Sequence, residues 1–452
     1  MARSLESRFE QYVEVMVAGL GHADRHAPAG WYLKGLVLPG GRKSVEPMAA
    51  RVQPHNVRSA HQSMHHLVAE SDWSDEALLA AVAKQVVPVL TDSGRQHCVW
   101  IVDDTGFPKQ GKHSVGVARQ YCGRLGKTDN CQVAVSLSLA TAQGSLPLAY
   151  QLYLAREWTD DVQRRERVRV PPGLGFRTKG EIAWGQIEAA LTAGIPRGVV
   201  LTDAGYGDEA ALRDRLREQG IPYAVGIKSG TAVWWGDAQP APTVAAGRGR
   251  PRVRVQRDDD HQPISVTDLA HRLPRSAFRT VKWREGASGV LASRFARVRV
   301  MAAQGNHCRP EEWLIIEWPA GDAKPVHYWL SWLPENLTFK DLVNTIKARW
   351  RIEHDYLELK GELGLGHYEG RNWRGFHHHA SLCIAAYGFL MLERFRRGKK
   401  NAARFKAPAL PKGFRPRGAG SDATAHPLVD RHRALPPGKG HRSNTPPVPM
   451  LR

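Results

Sequence analysis

Two carboxylates in this sequence stand at the ends of short apolar runs. Asp103 follows Val99-Trp100-Ile101-Val102, and Asp203 follows Val199-Val200-Leu201-Thr202. Such runs read as buried strands, and in an open α/β sheet a strand end delivers its side chain into the crevice where ligands and catalysis gather. Taken singly, each is also an ordinary turn residue, because Asp-x-x-Gly and Asp-Ala-Gly are turn sequences. A third acid, Glu353, changes the balance. It lies four residues after Arg349 and seven before Lys360, and at 100° per residue the three share an arc of roughly 40° on one helix face. A surface salt-bridge ladder is the plain alternative. The same stretch also carries Trp350, Ile352, Tyr356 and Leu359, however, so the helix is partly buried and its polar stripe reads as a site.

The elements that must position these residues follow from periodicity. Helices are predicted from Leu5 to Met16, around Arg42 to Pro47, from His61 to Trp73, and from the N-cap Ser74 to Leu90. Residues 1–92 therefore form a helical N-terminal domain. Strands follow at Val99 to Val102, Val133 to Leu139 and Leu146 to Leu154. A helix over Glu181 to Leu191, the strand before Asp203, a helix over Glu209 to Gln219 and a strand at Tyr223 to Ile227 complete a mixed α/β sheet over 93–228. Residues 229–334 are β-rich, with strands at Phe295 to Met301, Trp313 to Trp318 and His327 to Trp332. The basic loop Arg248-Gly249-Arg250-Pro251-Arg252 falls in the same region. One helix over Leu342 to Leu363 and a strongly apolar one over Ala380 to Arg394 fill 335–397. From 398 to 452 Pro, Gly and basic residues dominate, and a disordered basic tail is expected.

With those blocks in order, the chain resembles the bacterial insertion-sequence transposases of the DDE type, a DDE superfamily endonuclease group related to retroviral integrases. The resemblance rests on Val102-Asp103-Asp104-Thr105-Gly106-Phe107-Pro108-Lys109-Gln110-Gly111 with Ser114 to Tyr121, on Leu201-Thr202-Asp203-Ala204-Gly205-Tyr206-Gly207, and on Arg349-Trp350-Arg351-Ile352-Glu353 continued to Lys360 and Gly364 to Glu369. Arg42 to Ala49 is similar to the group's N-terminal region, so the likeness spans roughly Arg42 to Leu392. It implies an RNase H-like mixed sheet flanked by helices, with a β-rich insertion before the third acid. It also implies that Asp103, Asp203 and Glu353 are the catalytic and metal-binding acids. Arg349, Glu353 and Lys360 match the Tyr-x-x-Arg-x-x-x-Glu-x-x-x-x-x-x-Lys signature of hairpin-forming members of the wider family, but Ile346 stands at the tyrosine position.

Three convergent carboxylates repel one another unless divalent cations neutralise them, and hard oxygen donors select Mg²⁺, with Mn²⁺ as a substitute. Two ions per site are expected, serving phosphodiester cleavage and transfer of the freed 3′-OH to target DNA. Arg349, Lys360, Lys109, Lys112 and Arg119 are the expected DNA contacts. Asp104 competes with Asp103 for the first position; neighbours on a strand point to opposite faces, so only one can face the metals, and the resemblance favours Asp103. Glu362 is a fallback third acid, and Glu358 and Glu369 are expected to be solvated. His377-His378-His379 reads as a polar or DNA-facing helix start rather than a metal cluster. Trp234, Trp235, Trp283, Trp313 and Trp318 read as core, with base stacking as the alternative role for one of them.

Composition agrees with a DNA partner. Lys and Arg number 64 against 44 Asp and Glu, a net charge of +20, and 42% hydrophobic residues suffice for a large core. Binding to the element's terminal inverted repeats and to target DNA, as a dimer in the DNA complex, is expected from the resemblance. No run of apolar residues is long enough to span a membrane. The five cysteines are scattered, without a Cys-x-x-Cys pair, and the N-terminus lacks a signal-peptide pattern, so a cytoplasmic, nucleoid-associated location is expected. Two other functions use the same residues: a related endonuclease without transposition, and an inactive transposase-derived DNA-binding regulator.

Overall fold

The structure of the chain, a computed structural model, describes residues 4–91, 98–236, 262–286, 289–305 and 308–398. The basic loop at 248–252 and nearly all of the expected tail lie outside these residues. Five helices come first: α1 (Leu5–Val17), α2 (His26–Val37), α3 (Val45–Val52), α4 (Val57–Ala69) and α5 (Asp75–Thr91). Ser4 and Ser74 cap α1 and α5, their hydroxyls accepting from the amides of Ser7 and Ala77. Helix α2 escaped the periodicity reading because Pro28, Gly30 and Gly35 interrupt its apolar pattern. Gly35 has a packing reason: a Cβ there would lie 2.8 Å from that of Met48, so its absence lets α3 approach α2.

Among the described residues, twelve strands then build one sheet. They are β1 (Val99–Pro108), β2 (Ala118–Cys122), β3 (Lys127–Ala140), β4 (Ser145–Leu152), β5 (Val199–Thr202), β6 (Tyr223–Ile227), β7 (Ala232–Trp234), β8 (Ile264–Ser265), β9 (Arg279–Gly286), β10 (Gly289–Ala302), β11 (Glu311–Glu317) and β12 (His327–Trp332). Their order is β2-β3-β1-β5-β6-β12-β11-β10-β7-β8, with β4 on β3 and β9 on β10. Strand β3 runs antiparallel to β1, whereas β1, β5 and β6 are parallel. Helices α6 (Lys179–Thr192) and α7 (Ala210–Glu218) lie before and after β5, and Thr178 starts α6 with a full capping box to Glu181. The β-rich segment is thus not a separate layer: β12 pairs with β6 and extends the central sheet outward.

Two sequence expectations change in the C-terminal part. The single helix over 342–363 is two, α8 (Phe339–Lys347) and α9 (Trp350–Gly361), with Ala348 and Arg349 between them. The apolar helix begins earlier, as α10 (Trp373–Gly398), and so includes the three histidines. They are not a polar or DNA-facing start; all three are buried. His377 Nε2 accepts from the amide of Leu152, and its Nδ1 faces the Trp373 carbonyl. His378 stacks on Trp73, with ring centroids 3.6 Å apart. His379 donates from Nε2 to the Gly364 carbonyl and leaves Nδ1 for the hydroxyl of Tyr32. Their side chains diverge as consecutive helical positions must, and each ties α10 to a different neighbour.

Those ties join the N-terminal helices to the sheet. One buried apolar cluster runs from Tyr12, Leu33 and Val82 through Trp100 and Val135 to Leu314 and Ile384. The N-terminal segment around Lys43 meets the loop after α9: its backbone N–H donates to His367 Nδ1, and Arg42 pairs with Glu369. Glu369 stays exposed, as expected, while it makes this surface pair, whereas Glu358 is not simply solvated: it is half-buried and pairs with Arg394 at 2.7 Å.

Candidate active site

Parallel pairing sets the first two acids side by side. Val99, Trp100 and Ile101 of β1 stand opposite Val199, Val200 and Leu201 of β5, so Asp103 and Asp203 each come two residues after the last paired level, close enough for their charges to interact. Asp203 ends β5 and caps the helical turn Ala204–Gly207, its Oδ1 accepting from the amides of Gly205 (2.9 Å) and Tyr206 (3.3 Å). Asp103 lies within β1, and its side chain is only 15% exposed. Burial pushes its carboxyl up to about 7; the charges of Asp203 and Asp104 add to that, and Arg349 opposes it.

The junction between α8 and α9 brings the third acid to this pair. Arg349, as the residue before α9, places its guanidinium against two carboxylates at once. Nη1 lies 3.0 Å from Asp103 Oδ2, and Nη2 lies 3.4 Å from Glu353 Oε1. Asp203 acts on the same guanidinium electrostatically. Glu353 is otherwise open, with its side chain 69% exposed. Two turns further on, Lys360 Nζ lies 3.4 Å from the carbonyl of Gly106 on β1. Burial, aided by Arg124, lowers that ammonium to about 8. Sequence spacing alone proposed the stripe Arg349, Glu353 and Lys360, and in the fold it faces the first-acid strand.

The remaining candidates divide. Lys109 is half-buried, and its Nζ donates to the Tyr368 carbonyl at 2.8 Å, fastening the end of β1 to the loop after α9. Lys112 and Arg119 are exposed. Asp104 points away from Asp103, its carboxylate 2.5 Å from Lys179 at the start of α6. Beyond that pair a cleft of about 290 Å³ is lined by Tyr153, Phe176, Tyr206 and Glu209. Glu362 is exposed past the end of α9 and acts on Lys43, not on Asp103. Isoleucine 346, at the signature's tyrosine position, is buried in α8.

Three neighbours of the site were not singled out from sequence. Tyr356 is one turn beyond Glu353, and its hydroxyl donates to Ser136 on β3, whose own Oγ lies 3.4 Å from the Asp103 carbonyl. Lys179 partners Asp104. Asp355, on the buried side of α9, accepts from Tyr387 at 2.9 Å, and burial raises its carboxyl to about 6. None follows from local spacing, because each partner comes from a distant strand or helix.

As a donor set, Asp103, Asp203 and Glu353 supply hard oxygens; Asp103 is mostly buried and bonded to Arg349, while Lys360 and Arg284 add positive field at Asp103 and Glu353. This chemistry suits a hard dication. Among the described residues no three such side chains are already arranged around one point to hold an ion. The Arg349 fork stands between two of them.

Comparison with known proteins agrees with the residue pattern. Residues 15–290 match the model of a family described as DDE superfamily endonuclease, a span that contains Asp103 and Asp203 and ends before Glu353. Over 169 residues the chain is 34% identical to a protein of Microchaete diplosiphon named probable transposase for insertion sequence element IS701. That alignment covers 37% of this chain and 41% of the relative. A solved piggyBac transposase synaptic complex with hairpin DNA aligns over 92% of this chain and 81% of its own, at 10% identity. Its TM-score of 0.31 is too low to bear on the fold. With more than half of its length matched by the family model, the chain belongs to the DDE superfamily of endonucleases.

Proposed function

We propose that the protein is the transposase of a bacterial insertion sequence. In this reading it binds the element's terminal inverted repeats, cleaves DNA phosphodiesters and transfers the 3′-OH ends to target DNA. The observation that carries it is the Arg349 guanidinium, which contacts both Asp103 and Glu353, with Asp203 following the strand that runs parallel to β1. The sheet supports an RNase H-like core, because an antiparallel strand flanks β1 on one side and two parallel strands follow on the other. We assign residues 93–228 and 335–397 to that core, 229–334 to its β-rich insertion, 1–92 to a DNA-binding role and 398–452 to a basic tail.

Asp103, Asp203 and Glu353 would hold two Mg²⁺ ions, or Mn²⁺ in their place. Bound there, the ions would supply Lewis-acid stabilisation of charge on the attacking and leaving oxygens. The chain itself does the positioning. Arg349 offers a planar fork and Lys360 a point charge to phosphates near the cut, while Lys109, Lys112 and Arg119 extend the basic path along β1 and β2. A dimer on DNA and a cytoplasmic, nucleoid-associated location complete the proposal; no described helix is long and apolar enough to cross a membrane.

Excision of a marked element in cells tests this reading. Asp203→Ala and Glu353→Gln are each expected to lower excision by at least about 10³-fold, while protein levels stay unchanged. Wild-type excision by either variant contradicts the assignment. Cleavage by the wild-type enzyme without any strand-transfer product would leave an endonuclease rather than a transposase.

A further inference from the structure

Arg349 does two things that cannot be done at once. The proposed function needs its guanidinium on a DNA phosphate. In the DNA-free fold the same guanidinium lies 3.0 Å from Asp103 and 3.4 Å from Glu353, with Asp203 also acting on it. A cation held there neutralises the same carboxylates that the dications would. It also occupies the space between them, because one fork cannot stay bonded to both acids while an ion is shared by the same oxygens.

We infer that Arg349 is an internal substitute cation that couples DNA binding to metal binding. Without DNA it holds Asp103 and Glu353 and weakens the site's affinity for dications. A DNA phosphate draws the guanidinium off and frees the acids. The inference rests on the reading of Asp103, Asp203 and Glu353 as the metal ligands. It deepens that reading by giving one positioning residue control over when the ligands become available.

The local structure suits such a movement. Arg349 is not inside a helix but at the break between α8 and α9, where it makes no side-chain cap. Its side chain is 28% exposed, so it can be reached from solvent. Glu353, 69% exposed, is likewise free to turn once released. Lys360 bonds to a backbone carbonyl and reaches Asp103 only through its field, so it does not occupy the acids' oxygens as Arg349 does. By linkage, the factor by which DNA raises metal affinity must equal the factor by which metal raises DNA affinity.

The test is Mn²⁺ binding, followed by the loss of its free-ion resonance signal. It uses the full-length protein with and without a duplex carrying the element's terminal sequence. Wild type should bind Mn²⁺ weakly alone and on the order of 10- to 100-fold more tightly on DNA, the size expected for charge-assisted contacts. Arg349→Gln should bind Mn²⁺ tightly without DNA and gain little when DNA is added. Arg349→Lys, which keeps the charge but loses the fork, should fall between them. If Arg349→Gln binds no more tightly than wild type without DNA, the inference is overturned. Equal wild-type affinity with and without DNA overturns it as well. A merely structural role for Arg349 would move the melting temperature and leave these affinities alone. Asp203→Asn separates the two levels: if Mn²⁺ binding survives that change, the three-acid reading itself fails, whereas its loss together with an unaltered Arg349→Gln affinity removes only the coupling.

Discussion

At the level of single residues, the site is a contest between burial and charge. Asp103 sits in a nearly closed position beside Asp203, so its negative form is disfavoured, and the Arg349 contact offsets only part of that. Lys360 shows the same physics with the opposite sign, since burial lowers its ammonium to about 8. A lysine with a lowered value is charged below that pH and loses its charge as the pH rises through it. DNA affinity should therefore weaken several-fold between pH 7 and pH 9 in wild type, over and above any change in a Lys360→Arg variant, whose guanidinium stays charged. Fluorescence anisotropy at the two values measures it, and parallel curves for the two proteins would remove Lys360 from the phosphate path. Asp203 was legible as a residue after a strand, and Arg349, Glu353 and Lys360 as one helical stripe; Asp103 was placed at a strand end and lies instead within β1. The partners Tyr356, Ser136 and Lys179 were not, because a hydrogen bond across the sheet leaves no trace in local periodicity.

At the level of elements, a strand was legible where an apolar run met a turn, as at Tyr223 to Ile227. At Val99 to Val102 the run was found but not its end, because Asp103 to Gly106, read as a turn, pairs with β3 and carries β1 on to Pro108. The break between α8 and α9 was not. No Pro or Gly marks it, and Ile346 and Ile352 continue the apolar pattern across it, yet it is this break that turns Arg349 toward the acids. Helix α10 misled for a different reason. Three consecutive histidines read as polar, but each is buried against a separate hydrogen-bonding partner, which sequence cannot display. His379 is the useful one to test. Burial lowers its value to about 4, against about 6.5 in an unfolded chain. Between those values the unfolded state takes a proton that the folded state refuses, so stability is complete above pH 6.5 and declines as the pH falls toward 4. Asp103 and Asp355, raised to about 7 and about 6, act in the opposite direction, so the informative quantity is a difference between proteins. From pH 7 to pH 5 wild type should lose about 2 kcal/mol more than His379→Gln, read from urea midpoints. Equal losses would mean that His379 is protonated in the fold.

At the level of the whole molecule, the N-terminal helices and the sheet share one apolar cluster, and β12 carries the inserted strands onto β6. Composition announced a polyanionic partner through a charge of +20; it did not reveal that the helical segment and the inserted strands would be built onto the catalytic sheet. That continuity arises from side chains separated by hundreds of positions, such as Tyr12 donating to the Ala385 carbonyl. The exposed Lys112 and Arg119 belong to this scale, since under the proposed function they would act through the field along the DNA rather than through one contact. Binding to terminal-repeat DNA should weaken steeply with salt, and replacing either residue by Ala should reduce the magnitude of the log–log slope by about 1. An unchanged slope in both would place the DNA elsewhere on the surface. The most direct test of the account is cleavage of a duplex bearing the element's end by purified protein in Mg²⁺. The account predicts nicking by wild type and loss of at least about 10³-fold in Asp103→Asn, Asp203→Asn and Glu353→Gln alike, with DNA binding retained. Cleavage at the wild-type rate by any one of the three would contradict it.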